Sequence, residues 1–183
     1  VIWTSILRRT EPAANAGDLW MACLLYWGMF LPLGDMLSID SLLQKKTKYA
    51  TRSLASAAFL AQVLAVYLYA GISKLQGDWL NGSAVGYVLS VHDHGTWVGE
   101  FLNASKITTG FLTISTLLLE IGGPFLFLFC GNRSARRLIA LSFILFHIGI
   151  WITLSVGLFS PIGITAWLAL MPWHTKRTQP DME

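Results

Sequence analysis

From Ser53 to Ser73 the chain reads SLASAAFLAQVLAVYLYAGIS, without one charged residue. A stretch of this length matches the roughly 20 residues that an α-helix needs to cross the hydrocarbon core of a bilayer. Four further apolar segments accompany it: 18–34, 107–129, 138–154 and 156–172. Helix is the form expected for all five. Unpaired backbone groups are too costly in lipid, and no alternation of polar and apolar residues suggests a barrel. The sequence therefore predicts an all-α, polytopic transmembrane helical bundle of about five membrane segments. The first, fourth and fifth are short for a crossing. The fourth and fifth are joined by SVGLFSPIG, where Ser160, Pro161 and Gly163 are expected to break the helix. A hairpin that stops short of a full crossing is the alternative there.

Composition agrees. Hydrophobic residues make up 54% of the 183 and charged residues 13%, against about 25% charged in a soluble domain. Mean hydropathy is +0.56. The net charge of +3 is no sign of a nucleic-acid partner, because the basic residues sit in short loops between apolar runs. Lys45, Lys46, Lys48 and Arg52 precede the second segment, Arg133, Arg136 and Arg137 lie between the third and fourth, and Lys176 and Arg177 follow the fifth. Five crossings put these groups on one side, and the excess of Lys and Arg makes that side cytoplasmic. Lys74 and the loop 76–106 then face away from the cytoplasm. Trp79, Tyr87, Trp97 and Phe101 are spread among polar residues in that loop, which is expected to lie at the membrane interface as an amphipathic segment. The tail 174–183 is polar and cytoplasmic in this reading. The whole is read as one transmembrane domain. It begins at Val1 without a signal-peptide pattern, and is read as a piece with helices upstream. Cys23 and Cys130 are expected to be unpaired thiols in apolar surroundings.

Ionisable groups inside membrane helices are expensive, so each one raises a question. Three stand out: Lys74 at the end of the second segment, Glu120 within TLLLEIGGPFLF and His147 within ILFHIGIWITL. Each has a plain structural reading. A lysine at a helix end snorkels to water. A membrane histidine bonds a neighbouring helix, and Glu120 with Gly122 and Gly123 forms a packing device. The functional reading joins them. An amine among apolar neighbours is poorly hydrated as its ammonium and can serve as a base, while a histidine near it donates a hydrogen bond to an oxygen of a ring substrate. His92-Asp93-His94 is a weak metal candidate, with Glu100 as a further ligand, and no metal is expected. Asn81-Gly-Ser and Asn103-Ala-Ser match glycosylation sequons, which chance explains adequately.

At YAGISKLQGDWLNGSAVGYVLS the chain resembles the membrane part of the vitamin K-dependent gamma-carboxylase family, whose homologues carry the HTTM (horizontally transferred transmembrane) domain. In that family an apolar helix ends in Ala-Gly-x-x-Lys-Leu, followed by Asp-Trp and a Gly. Here these are Ala70, Gly71, Lys74, Leu75, Asp78, Trp79 and Gly82. Glu120, Gly123, Phe125 and Arg133 form a second match. His147 with Ser155, Gly157, Leu158, Phe159 and Ser160 forms a third, and the three come in the family's order over about 15–172. The resemblance implies that Lys74 is the base that deprotonates reduced vitamin K or another lipid quinone, and that His147 is an active-site histidine. It implies gamma-glutamyl carboxylase-like lyase and quinol epoxidase chemistry, without a metal. Trp79, Glu120, Asp18 and Asn15 are the candidate substrate-binding residues. The chain departs from the carboxylase pattern at NAGDLW, where Asn15, Gly17 and Asp18 stand and the family has an Asn-His pair. Partners would be membrane lipid and a secreted or membrane peptide. A second reading is a non-catalytic accessory protein for maturation or export of a secreted peptide, similar to sporulation-delaying protein B. There the loop 76–106 is the interaction surface and Lys74 only anchors its helix.

Overall fold

The computed structural model describes residues 16–31, 53–91 and 95–172. Asn15, the basic loop 35–52, His92, Asp93, His94 and the tail from His174 lie outside the described residues. Eight helices are described: α1 (Ala16–Gly28), α2 (Leu54–Ser73), α3 (Gly77–Leu80), α4 (Ala84–Ser90), α5 (Trp97–Asn103), α6 (Lys106–Phe129), α7 (Arg133–Thr153) and α8 (Phe159–Leu170).

α2, α6 and α7 are long and apolar enough to cross a membrane. α1 and α8, with 13 and 12 residues, are shorter than the roughly 20 that a crossing needs. The protein is thus a helical membrane protein, with three helices of spanning length and two shorter apolar ones beside them. Large apolar side chains such as Leu54, Ile107, Phe111 and Phe129 stand exposed on the outer faces. On a water-soluble domain such a surface would be an association site. Against lipid it is the ordinary exterior of a bundle.

The helix ends are closed by side chains, as an apolar setting requires. Ser53 and Ser56 form a capping box at the start of α2, with bonds of 3.1 and 3.0 Å. Ser105 caps α6 and Asn132 caps α7. Arg136 donates to the carbonyls of Cys130 and Leu128 just past and within the last turn of α6. Cys23 and Cys130 are free thiols.

α2 packs on α6, α6 on α7, α7 on α8, and α1 lies against α8 and α2. Their shared core is aromatic. Phe143 and Trp167 stack at 4.0 Å with their planes 9° apart, and Tyr67 lies 4.5 Å from Phe143. Gly123 makes room for this, since a Cβ there would meet the Phe143 ring at 2.6 Å.

The joint between α7 and α8 differs from the sequence expectation. The break spans 154–158 and turns at Gly157, whose φ is +59°. Pro161 is the third residue of α8, where its missing N–H would have had no helical partner. Gly163 lies inside α8.

The segment 76–106 contains three short helices, α3 to α5, packed beside the first half of α6. The Val85 amide donates to Thr113 Oγ1 at 3.1 Å. Thr96 donates from its amide and its hydroxyl to the carbonyls of Thr153 and Ile152, tying this cap to the end of α7. Trp97, at 81% exposure, and Phe101 project outward from it, which fits a membrane interface.

Candidate functional site

Tyr67, Gly71 and Lys74 stand at i, i+4 and i+7 on α2, one stripe of one helix face. Gly71 lets α6 approach that stripe. A Cβ at Gly71 would meet Ile121 Cγ1 at 2.6 Å and the Ile121 amide nitrogen at 3.2 Å. The close approach brings Glu120 under Lys74. Lys74 Nζ lies 2.7 Å from Glu120 Oε1 and 2.6 Å from Oε2, so it contacts both carboxylate oxygens. The carboxylate side chain is 6% exposed and the lysine side chain 23%. Trp79, on α3, closes the pair from the cap side, with Lys74 Nζ 5.0 Å from its ring centroid.

This pair is set far along α6. About 21 Å of helix separates Glu120 from Lys106 at the start of α6. α2 therefore ends well short of the Lys106 end of α6, and α3 to α5 flank the part of α6 beyond it. Pro124 follows Glu120 by four residues inside α6. It has no N–H to offer the Glu120 carbonyl, so the helix ladder is interrupted beside the carboxylate.

Two turns from Lys74 along the stripe, about 10 Å by helix rise, Tyr67 Oη lies 2.6 Å from Nε2 of His147. His147 is 0% exposed. Its ring is enclosed by Trp20 at 5.8 Å and Phe159 at 5.4 Å, and Trp20 also meets Tyr67 edge-on at 5.5 Å. Gly163 of α8 lies directly against the imidazole, where any Cβ would collide with it. Trp20 Nε1, His147 Nδ1 and Ser160 Oγ are buried here, and none has a hydrogen-bond partner among the described residues. Beside this cluster, Met21, Leu24 and Phe59 with Pro161, Ile162 and Ala166 line an apolar cavity of about 530 Å³ between α1, α2 and α8. Its one hydroxyl, on Thr165, donates to the Pro161 carbonyl.

The structure thus brings together Lys74, Glu120 and Trp79. It places His147 deeper on the same helix stripe, bonded to Tyr67 rather than to Lys74. Asp18 stands in the first turn of α1, at the end that favours a negative charge. The sequence reading singled out neither Tyr67 nor Trp20. The available signal was the i, i+4, i+7 spacing from Tyr67 through Gly71 to Lys74.

A short-helix cap over a bundle that holds a lysine–carboxylate pair and a buried tyrosine–histidine pair defines a polytopic membrane protein with polar groups inside its helical bundle. The chain belongs to the HTTM domain family, whose model matches residues 19–173. That membership relates it to the membrane part of the vitamin K-dependent carboxylases. No solved structure matches the chain.

Proposed function

We propose that the protein is a membrane enzyme of the quinone-dependent carboxylase or oxygenase type, in which Lys74 takes a proton from a lipid-soluble quinol. The observation that carries this reading is the Lys74–Glu120 pair, with both carboxylate oxygens within 2.7 Å of Nζ. A lysine that only anchored its helix would extend toward water. Lys74 instead turns to a buried carboxylate on a neighbouring helix.

The pair can act as one acid–base unit. An ammonium cannot accept a proton. Moving its proton to Glu120 leaves a neutral amine beside a neutral carboxylic acid and removes two charges from a poorly solvated place. The Lys74 amine then accepts a proton at Nζ, while Glu120 holds the first. His147, fixed by Tyr67 and Gly163, orients a ring oxygen. Trp20 and Phe159 give that ring aromatic walls, and the groove along α1 and α8 suits a hydrocarbon tail. Partnerless buried polar atoms among aromatic faces, next to an apolar cavity, support a quinone as the ligand. A reduced quinone bound here would supply an acidic ring hydroxyl and two reducing electrons. In this reading Lys74 and the cap α3 to α5 face away from the cytoplasm.

The test is formation of quinone epoxide from vitamin K quinol and oxygen by the protein in nanodiscs, read by chromatography. The wild type is expected to form it. Lys74→Met and Lys74→Arg are both expected to reduce it at least about a hundredfold, as removal of an acid–base group does, because arginine keeps its proton. Full turnover by Lys74→Arg would overturn the base assignment. The exposed Trp97 and Phe101 on the cap favour the accessory reading in that case, with the cap as a surface for a secreted peptide.

A further inference from the structure

A second cavity, of about 620 Å³, lies where the turn between α3 and α4 and the end of α5 meet the first half of α6. It shares no residue with the Lys74 and His147 clusters. Gly82, with φ at +78°, turns the chain there and lies against Gly110, whose added Cβ would stand 3.6 Å from the Gly82 carbonyl oxygen. Two hydroxyls on the lining are already engaged. Thr109 donates to the Lys106 carbonyl at 3.2 Å, and Ser83 donates to the Asp78 carboxylate at 3.1 Å. The carboxamides of Asn81 and Asn103 and the ammonium of Lys106 also line the cavity. These three have no side-chain hydrogen bond or ion pair among the described residues. Lys106 is the one charged residue of the lining, and no carboxylate accompanies it.

The same end of α6 carries a lipid-facing surface. Ile107, Phe111, Ile114 and Leu118 stand at i, i+4, i+7 and i+11, one stripe of the helix, and all four are exposed. Ile114 belongs both to this stripe and to the cavity lining, so the polar cavity is continuous with an apolar track. The 24 residues of α6 cover about 36 Å, slightly more than a hydrocarbon core of about 30 Å, which sets its first turn at the level of the lipid headgroups.

We propose that this cavity binds one anionic glycerophospholipid with a hydroxyl-bearing headgroup: the phosphate on Lys106, the hydroxyls on Asn81 and Asn103, and an acyl chain along the 107–118 stripe. The charge of the lining selects the class. A lysine without a carboxylate beside it suits a phosphodiester. It leaves the ammonium of a choline or ethanolamine headgroup without a counter-charge. A carboxamide offers both a donor and an acceptor, as a hydroxyl requires. The apolar stripe favours a lipid over a free phosphate ester or an acidic peptide, neither of which would use it. The site is separate from Lys74 and stands whether or not the chain handles a quinone.

The test is native mass spectrometry of the full chain in detergent, titrated with phosphatidylglycerol or phosphatidylcholine of the same acyl chains. The first phosphatidylglycerol is expected to bind at least about tenfold more tightly than phosphatidylcholine. Its Kd is expected to rise about tenfold in Lys106→Gln, the size of one lost charge-assisted hydrogen bond. Asn103→Ala is expected to raise it about fivefold, as loss of a neutral hydrogen bond does, and gives a second reading should Lys106→Gln fail to fold. Arg133→Gln removes an exposed cation at the opposite end of the bundle and is expected to leave the Kd unchanged. Equal affinity for the two lipids, unchanged affinity in both Lys106→Gln and Asn103→Ala, or an equal loss in Lys106→Gln and Arg133→Gln overturns the site. Displacement of the lipid by glycerol 3-phosphate would assign the cavity to a free phosphate ester, and displacement by hexaglutamate to an acidic peptide. Either overturns the lipid as occupant.

Discussion

Lys74 Nζ and the two oxygens of Glu120, 46 residues apart in sequence, meet at 2.6 and 2.7 Å where α2 ends against α6. The contact gives each ionisable group a partner of opposite charge. Alone, either would be a costly charge in an apolar bundle. Together they form an ion pair that is neutral overall.

Removing one partner leaves the other charge poorly compensated. Glu120→Leu is expected to destabilise the fold by roughly 3 kcal/mol, the low end for a broken buried pair, because Lys74 keeps some access to water. Lys74→Met combined with Glu120→Leu is expected to regain most of that loss. Chemical unfolding of the two single variants and the double variant in one detergent gives the coupling energy. Strictly additive losses would mean that the two side chains do not interact.

The pair depends on the close approach at Gly71. Gly71→Ala is expected to cost about 1–3 kcal/mol, because its Cβ would press on Ile121. Gly122→Ala faces open space and is expected to be neutral or to gain up to about 1 kcal/mol from helix propensity. Comparing the unfolding midpoints of these two variants separates a packing requirement from a general effect of glycine.

The bundle itself was legible in the sequence. Long runs without charge leave lipid-spanning helix as the one form that satisfies the backbone, so α2, α6 and α7 emerged near their observed bounds. Lys74, Glu120 and His147 stood out for the same reason, since ionisable groups are rare in such runs. Their partners were not legible. A single chain carries no distances, and the reading set His147 beside Lys74, whereas the fold joins Lys74 to Glu120 and His147 to Tyr67. Tyr67 and Trp20 are ordinary in an aromatic-rich apolar run, and only packing makes them neighbours of a histidine. The breakers near α8 misled because proline costs nothing in a first turn and Gly163 serves contact rather than a bend.

Gly163 gives a third expectation. A methyl group there would collide with the His147 ring, so Gly163→Ala is expected to displace the imidazole from Tyr67 and to destabilise by about 1–3 kcal/mol. Gly149→Ala on α7 meets nothing within 4 Å and serves as the control. The His147 ring signals in an NMR spectrum of Gly163→Ala are expected to move from their wild-type positions, and unchanged signals would show that the ring is held by other contacts.

The most direct test of the central claim is mass spectrometry of an organic extract from the protein purified in native-lipid nanodiscs. One lipid quinone per chain is expected from the wild type and loss of it from His147→Ala. Absence of quinone from the wild type, or equal amounts from both, would contradict the account.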